Sequence, residues 1–165
     1  MSAPSEQLPG GQVIQIRPLC ATDARGVEAL FNGLSEDSSY ERFLDHERCR
    51  DVVPFVQHPT QQGVALVASR AGDDTELIGL ACYETDAGSV HAEVSLVVSD
   101  EWQCRGVGSA LFRRLLVCAR EYGLLGFTAD VLATNGRMMA LFRSPGLRVK
   151  SRLEGGVYRV DAAFC

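Results

Sequence analysis

Three strand-like runs lie close together between residues 63 and 98, and the gaps between them are too short for anything but hairpins. Gly63–Arg70 (GVALVASR), Glu76–Thr85 (ELIGLACYET) and Ser89–Val98 (SVHAEVSLVV) are rich in Val, Leu and Ala. Gly72-Asp73-Asp74 and Asp86-Ala87-Gly88 separate them with turn-forming residues. A parallel crossover needs a dozen or more residues, so these runs form an antiparallel meander. A helix follows over about Gly106–Tyr122. Val107, Leu111, Leu115, Cys118 and Tyr122 recur on one face, and Gly123 ends it.

The rest of the chain keeps this alternation. Val13–Pro18 (VIQIRP) reads as a strand. Thr22 or Asp23 caps a helix through about Leu34, with Val27, Leu30 and Phe31 on one face. Ser38 to about Val56 reads as one or two short helices with Tyr40, Phe43 and Leu44 inward, broken up by Pro54 and Pro59. Gly126–Leu132 is a strand, and Asn135 to about Arg143 a short helix stopped at Ser144-Pro145-Gly146. The strands Arg148–Leu153 and Val157–Ala163 join at Glu154-Gly155-Gly156. The pattern predicts a mixed α/β (α+β) fold: one mostly antiparallel sheet of about seven strands, with about four helices on its two faces.

Composition bounds the function. The chain has 165 residues, 46% of them hydrophobic and 22% charged, which suits one soluble globular domain. A net charge of −5 argues against a nucleic-acid binder, and no apolar run is long enough to span a bilayer. Residues 1–12 are polar and rich in Pro, Ser and Gly, without the basic start and apolar middle of a signal peptide. They read as a disordered leader before a domain at 13–165, and the protein is expected to be cytoplasmic. None of the six cysteines forms a CxxC pair, no spacing suits a metal site, and Cys82 and Cys118 sit among apolar residues as small core side chains.

The chemistry concentrates between Val97 and Ala110 (VVSDEWQCRGVGSA). A strand ends, a loop turns, and a helix begins at Gly106-Val107-Gly108. A helix start leaves backbone N–H groups unpartnered at the positive end of its dipole. Gly106 and Gly108 would let an anion approach those amides, and Arg105 adds a donor fork. The arrangement suits a diphosphate, although the same Gly-x-Gly can serve as a tight turn only. It is neither a Walker loop nor the dinucleotide fingerprint, because no Gly-Lys-Ser/Thr and no third Gly follow.

Gln103-Cys-Arg-Gly106-Val-Gly108 resembles the Q/R-x-x-G-x-G/A signature of the GNAT superfamily of N-acetyltransferases. The order of elements from Ile14 to Phe164 is similar to the whole fold of that family. Asn135 matches the Asn that opens the following helix in many members. Ala92–Val98, Trp102-Gln103, Val131–Asn135, Met138-Met139 and Ser38-Ser39-Tyr40-Glu41-Arg42-Phe43 look most like the Pat-type protein-lysine acetyltransferases.

The resemblance implies a sheet splayed in the middle and an acetyl-CoA cosubstrate. Amides from Cys104 through Arg105, Gly106, Val107, Gly108 and Ser109 to the Ala110 turn, with Gln103 beside them, would hold the pyrophosphate. The backbone of Val97, Val98 and Ser99 would pair with the pantetheine arm, at a bulge near Val97. An amide there would polarise the thioester carbonyl, and Asn135 and Phe142 would line the channel. Glu93, pointing opposite Ala92 and Val94, is the candidate general base for an attacking amine, against a solvated strand carboxylate; His91 on the same face is the runner-up. Many members carry a Tyr acid where this chain has Phe142, and Ser144-Pro145-Gly146-Leu147 replaces the usual helix ending.

The acceptor is then a primary amine, either a protein lysine or a small molecule. Its floor would be built from about Glu36–Arg48 and the last hairpin, where Glu36, Asp37, Glu41 and Asp45 either attract a cation or form a solvated face. The rivals are a non-catalytic coenzyme A-binding module and a nucleotide-phosphate binder. A homodimer is compatible with all of these.

Overall fold

The computed structural model describes residues 4–37 and 62–165. The helices expected over Ser38–Val56, with Tyr40, Phe43 and Leu44, lie outside the described residues, as does most of the expected acceptor floor.

One eight-stranded sheet organises the chain. Its strands are β1 (Ser5–Gln7), β2 (Val13–Pro18), β3 (Gly63–Arg70), β4 (Asp73–Glu84), β5 (His91–Val98), β6 (Gly126–Leu132), β7 (Leu147–Glu154) and β8 (Val157–Phe164). Their spatial order is β1-β2-β3-β4-β5-β6-β8-β7. All neighbours are antiparallel except β5 and β6. Three α-helices are found among the described residues: α1 (Ala24–Asn32), α2 (Val107–Glu121) and α3 (Gly136–Leu141). None is long and apolar enough to cross a membrane.

The eighth strand is a correction. β1 lies inside the segment read as a disordered leader, and pairs Ser5↔Gln15 through Gln7↔Val13. Ser5-Glu6-Gln7 has no apolar alternation, so periodicity could not find it; backbone pairing and the buried Leu8 hold it. β4 also begins three residues earlier than expected. The turn needs only Ala71 and Gly72, with Gly72 at φ +89°. The final hairpin turns on Gly155 and Gly156, both at positive φ, as a two-residue turn requires.

Alternation along the central strands sorts two cores. Ala81, Tyr83, Val94, Leu96 and Val98 face α2, whose Leu111, Phe112 and Leu115 are fully buried against them. Leu80, Cys82 and Val97 face the other way, toward Val27, Leu30 and Phe31 of α1. Phe112 anchors the larger core, with ring centroids 5.9 Å from Phe127 and 5.5 Å from Phe142. Each such buried ring contributes about 1.5–3 kcal/mol of burial energy.

The sheet parts in its middle. β5 and β6 pair only over His91↔Gly126, Ala92↔Phe127 and Glu93↔Thr128. Beyond that point β5 stays with β4 to Val98, while β6 stays with β8 to Leu132. The expected bulge near Val97 is not what opens the gap. Gly79↔Val98 through Glu84↔Glu93 run in unbroken register, so the opening comes from β6 turning away.

Candidate active site

Two cavities lie along β5, one on each face of the sheet. The first is about 250 Å³ and lies between the last turn of β5, the start of α2, and α3. Leu96 and Val98 form its floor, Gly106, Gly108 and Ser109 one wall, and Asn135, Arg137 and Met138 the opposite wall. The second is about 500 Å³ and opens on the α1 side of β5 and β6, around Glu84, Asp86, His91, Glu93, Ser95 and Thr128. Glu93 and Ser95 alternate with Leu96 and Val98 on the same strand, so one strand feeds both cavities.

The start of α2 borders the first cavity. Ala110 N–H donates to Gly106 O at 3.0 Å, the first bond of α2. Residues 103–106 form a turn that leads into α2, and the amides of Val107, Gly108 and Ser109 precede that first intrahelical bond. Cys104 and Gly106 lie at φ +59° and +97°, so the chain twists sharply as it enters α2. The positive end of the fifteen-residue α2 dipole lies at this start.

β5 presents alternate backbone groups to the gap. Ser99 N–H donates to Ile78 O at 2.9 Å and therefore faces β4. Val97 shares that orientation by the period of two, so Val98 and Leu96 turn their N–H and C=O toward the opening. Gln103 Nε2 donates to Val98 O at 3.0 Å and pins the strand end to the loop. Of the three residues expected to pair with the pantetheine arm, the geometry turns Val98 to the gap; Val97 is buried toward α1.

The sequence-derived set divides accordingly. Val98, Gln103, Cys104, Gly106, Gly108, Ser109 and Asn135 come together at the first cavity. Val97, Ser99, Arg105, Val107, Ala110 and Phe142 do not line it. Val107 and Ala110 are core residues on the inner face of α2, and Phe142 is 1% exposed with its ring edge-on to Phe112. The Arg105 guanidinium lies 5.6 Å from the Trp102 ring centroid, with Arg70 at 5.7 Å from the same ring. The cation on the cavity wall is Arg137 instead.

Gly106 also packs against the N-terminal turn. A Cβ there would sit 3.1 Å from Pro9 Cδ, so its bareness serves the N-terminal turn as well as its positive φ. Gly108 borders the cavity beside Gly106, with only the Leu96 and Val98 methyls 3.6 and 3.7 Å from a notional Cβ. Leu96, Trp102, Arg137, Met138, Ala140, Leu141 and Ser144 were not singled out from the sequence as cavity lining. Strand parity would have found Leu96.

Asn135 positions the far wall. Its Oδ1 accepts from Met138 N–H at 3.1 Å and caps α3, and the side chain is buried. Asn135→Ala is expected to lower stability by about 1 kcal/mol, read as a lower midpoint in denaturant, and to loosen the wall formed by Arg137 and Met138.

On the other face, Glu93 is half-buried and lines the second cavity, as do Glu84 and Asp86. Ala92 and Val94 point into the core. His91 shares the Glu93 face, but its ring is packed onto Gly126, where a Cβ would lie 2.6 Å from His91 Cδ2. Thr85 and Ser89 hydroxyls both donate to the His91 carbonyl, at 2.7 and 2.9 Å, which braces the loop over this cavity.

A half-open sheet with a bare helix start beside the split is the arrangement of an acetyltransferase fold. The chain belongs to the Acetyltransferase (GNAT) family, whose model matches residues 28–146, and it is an acetyltransferase. It is similar to the GNAT domain of S. lividans PAT, with 30% identity, a TM-score of 0.82, and coverage of 98% of this chain and 96% of that one. The fold is also that of a cAMP-binding acyltransferase from Mycobacterium smegmatis (22% identity, TM-score 0.68), of which the match spans 98% of this chain and 47% of that one. A third is the PaiA N-acetyltransferase from Thermoplasma acidophilum in complex with coenzyme A (17% identity, TM-score 0.67, covering 92% and 99%).

Proposed function

We propose that the protein transfers the acetyl group of acetyl-CoA to the side-chain amine of a polypeptide lysine, with Glu93 as general base. The observation that carries this reading is the parted strand pair: the bare start of α2 and a cavity lie on one face of β5, and an acidic cavity lies on the other. The Cys104–Ser109 amides suit a diphosphate, and Arg137 could add charge to the same anion. Val98 turns its N–H to the opening, where it would pair with an extended amide-bearing arm as an added strand does. When bound, acetyl-CoA supplies an activated thioester.

Glu84, Asp86 and Glu93 give the second cavity the charge to draw in an ammonium group. The Glu93 carboxylate accepts one proton from the ammonium, the neutral amine nitrogen bonds to the acyl carbon, the carbon–sulfur bond breaks to release the thiolate, and the second nitrogen proton passes to solvent. Phe142 has no proton to give the departing sulfur. A thiol of pKa about 8.5 leaves as the thiolate at little cost near neutral pH, so no side-chain acid is required. The resemblance to a protein acetyltransferase domain favours a polypeptide acceptor over a small amine.

Trp102 is the only tryptophan, is buried, and lines the first cavity. Its emission is therefore expected to change saturably on titration with coenzyme A. Thiol release from acetyl-CoA, followed with lysine peptides and with small amines, tests the transfer. Amine-dependent release with peptides supports the proposal. A saturable Trp102 response without any amine-dependent release would instead indicate a binding module, and no response at all would remove the coenzyme A site.

A further inference from the structure

We propose that the outer strands beside the Glu93 cavity form a docking surface for an acidic stretch of the polypeptide that presents the acceptor lysine. The proposal rests on reading that cavity as the acceptor site. Register partners share a face, and the registers Glu93↔Thr128, Thr128↔Asp161 and Lys150↔Asp161 lay these four residues in one row across β5, β6, β8 and β7. His91, Gly126, Ala163 and Arg148 form the row on one side. Asp130, Arg159 and Arg152 form the row on the other. The surface that leaves the cavity is thus mapped residue by residue out to β7, the last strand of the sheet.

Charge changes sign along these rows. The cavity carries Glu84, Asp86 and Glu93. β7 carries Arg148, Lys150 and Arg152 on this face, all exposed, in a chain whose net charge is −5. Glu154 bonds Arg152 at 3.0 Å and reaches Arg159 at 3.8 Å. Arg148 and Lys150 have no ion-pair partner among the described residues. A segment that is basic throughout would meet repulsion on β7, and one acidic throughout would meet it at the cavity. A lysine with acidic residues a fixed distance away complements both ends.

The distance follows from the sheet. Three strand spacings separate Glu93 from Lys150, about 14 Å at roughly 4.8 Å each. An extended chain advances about 3.3 Å per residue, so an acidic side chain about four residues from the lysine reaches Lys150 or Arg148. At that range from the reacting atoms, the surface sets substrate preference without taking part in the chemistry.

The test uses the full chain and labelled peptides with one central lysine, carrying Glu, Gln or Arg three to five residues to either side. Fluorescence anisotropy at low salt should give about tenfold tighter binding for the Glu-flanked than for the Arg-flanked peptide, shrinking to about twofold at about 0.5 M salt. Arg148→Glu with Lys150→Glu should invert the order, and Arg148→Gln with Lys150→Gln should abolish it. A thermal unfolding midpoint checks that both variants fold. Equal affinities, an unchanged order in the charge-reversed variant, or no binding of any peptide up to about 1 mM would overturn the proposal. Anisotropy needs no transfer, so it is read separately from Glu93→Gln kinetics, which test the acceptor-site reading.

Discussion

Gly108→Glu is expected to fold like the wild-type protein and to bind coenzyme A about 100-fold more weakly or worse. The position tolerates a side chain: it lies in the first turn of α2, and a Cβ meets only the Leu96 and Val98 methyls at 3.6 and 3.7 Å. A carboxylate in a first turn is itself favourable by about 0.3–1 kcal/mol. The helix therefore has no reason to unfold. The carboxylate would sit beside the start of α2, accept hydrogen bonds from its first amides and repel an entering diphosphate. Two like charges about 4 Å apart cost roughly 1 kcal/mol in water and about 4 kcal/mol near a protein surface, and tenfold in affinity corresponds to about 1.4 kcal/mol.

Isothermal calorimetry, beside the Trp102 titration, reads the loss, and an unchanged unfolding midpoint shows that the fold is kept. Gly108→Ala should bind nearly as the wild type does, because it adds one methyl and no charge. Retained affinity in Gly108→Glu would take the diphosphate site away from α2. Gly106 cannot serve this purpose. Its φ of +97° and Pro9 at 3.1 Å from a Cβ would strain any substitution, ligand or not.

Much of this architecture was legible in the residues, and the misses have physical causes. The boundaries of β2, β3 and β6 follow from apolar runs that end where turn formers begin. β1 escaped because an edge strand of three polar residues is held by backbone pairing, which leaves no trace in side-chain period. The Gly-x-Gly and Asn135 were found because a helix start has a chemical signature. Which side chains face the cavity was harder. Arg105 is next to the motif in sequence, but the buried Trp102 ring draws its guanidinium aside, and a contact of that kind depends on where β3 brings Arg70. The backbone direction of Val97 depends on pairing: because Ser99 N–H bonds β4, the period of two turns the Val97 backbone toward β4 as well. Phe142 lies one residue beyond the last turn of α3, and the aromatic cluster around Phe112 pulls it into the core.

Glu93→Gln is expected to slow acetyl transfer by about 10²–10³-fold near pH 7, with coenzyme A affinity within about twofold of the wild type. Gln keeps the size and the half-buried packing of Glu on β5, so the cavity and its register with Glu84 and Thr128 survive. What disappears is a group that accepts the ammonium proton, and a positioned base contributes about 10²–10⁴-fold. A lysine amine of pKa about 10.4 is almost wholly protonated at pH 7. The variant must rely on the small neutral fraction, which grows about tenfold per pH unit. Its rate should therefore climb steeply from about pH 7 to pH 10 and close on that of the wild type, which a merely structural defect would not produce. His91→Ala provides the contrast. The ring fills the space over Gly126, so its removal should lower stability more than turnover and leave the pH profile in place. A Glu93→Gln enzyme with wild-type turnover at pH 7, or a His91→Ala enzyme with the steep alkaline profile, would move the base from Glu93 to its neighbour.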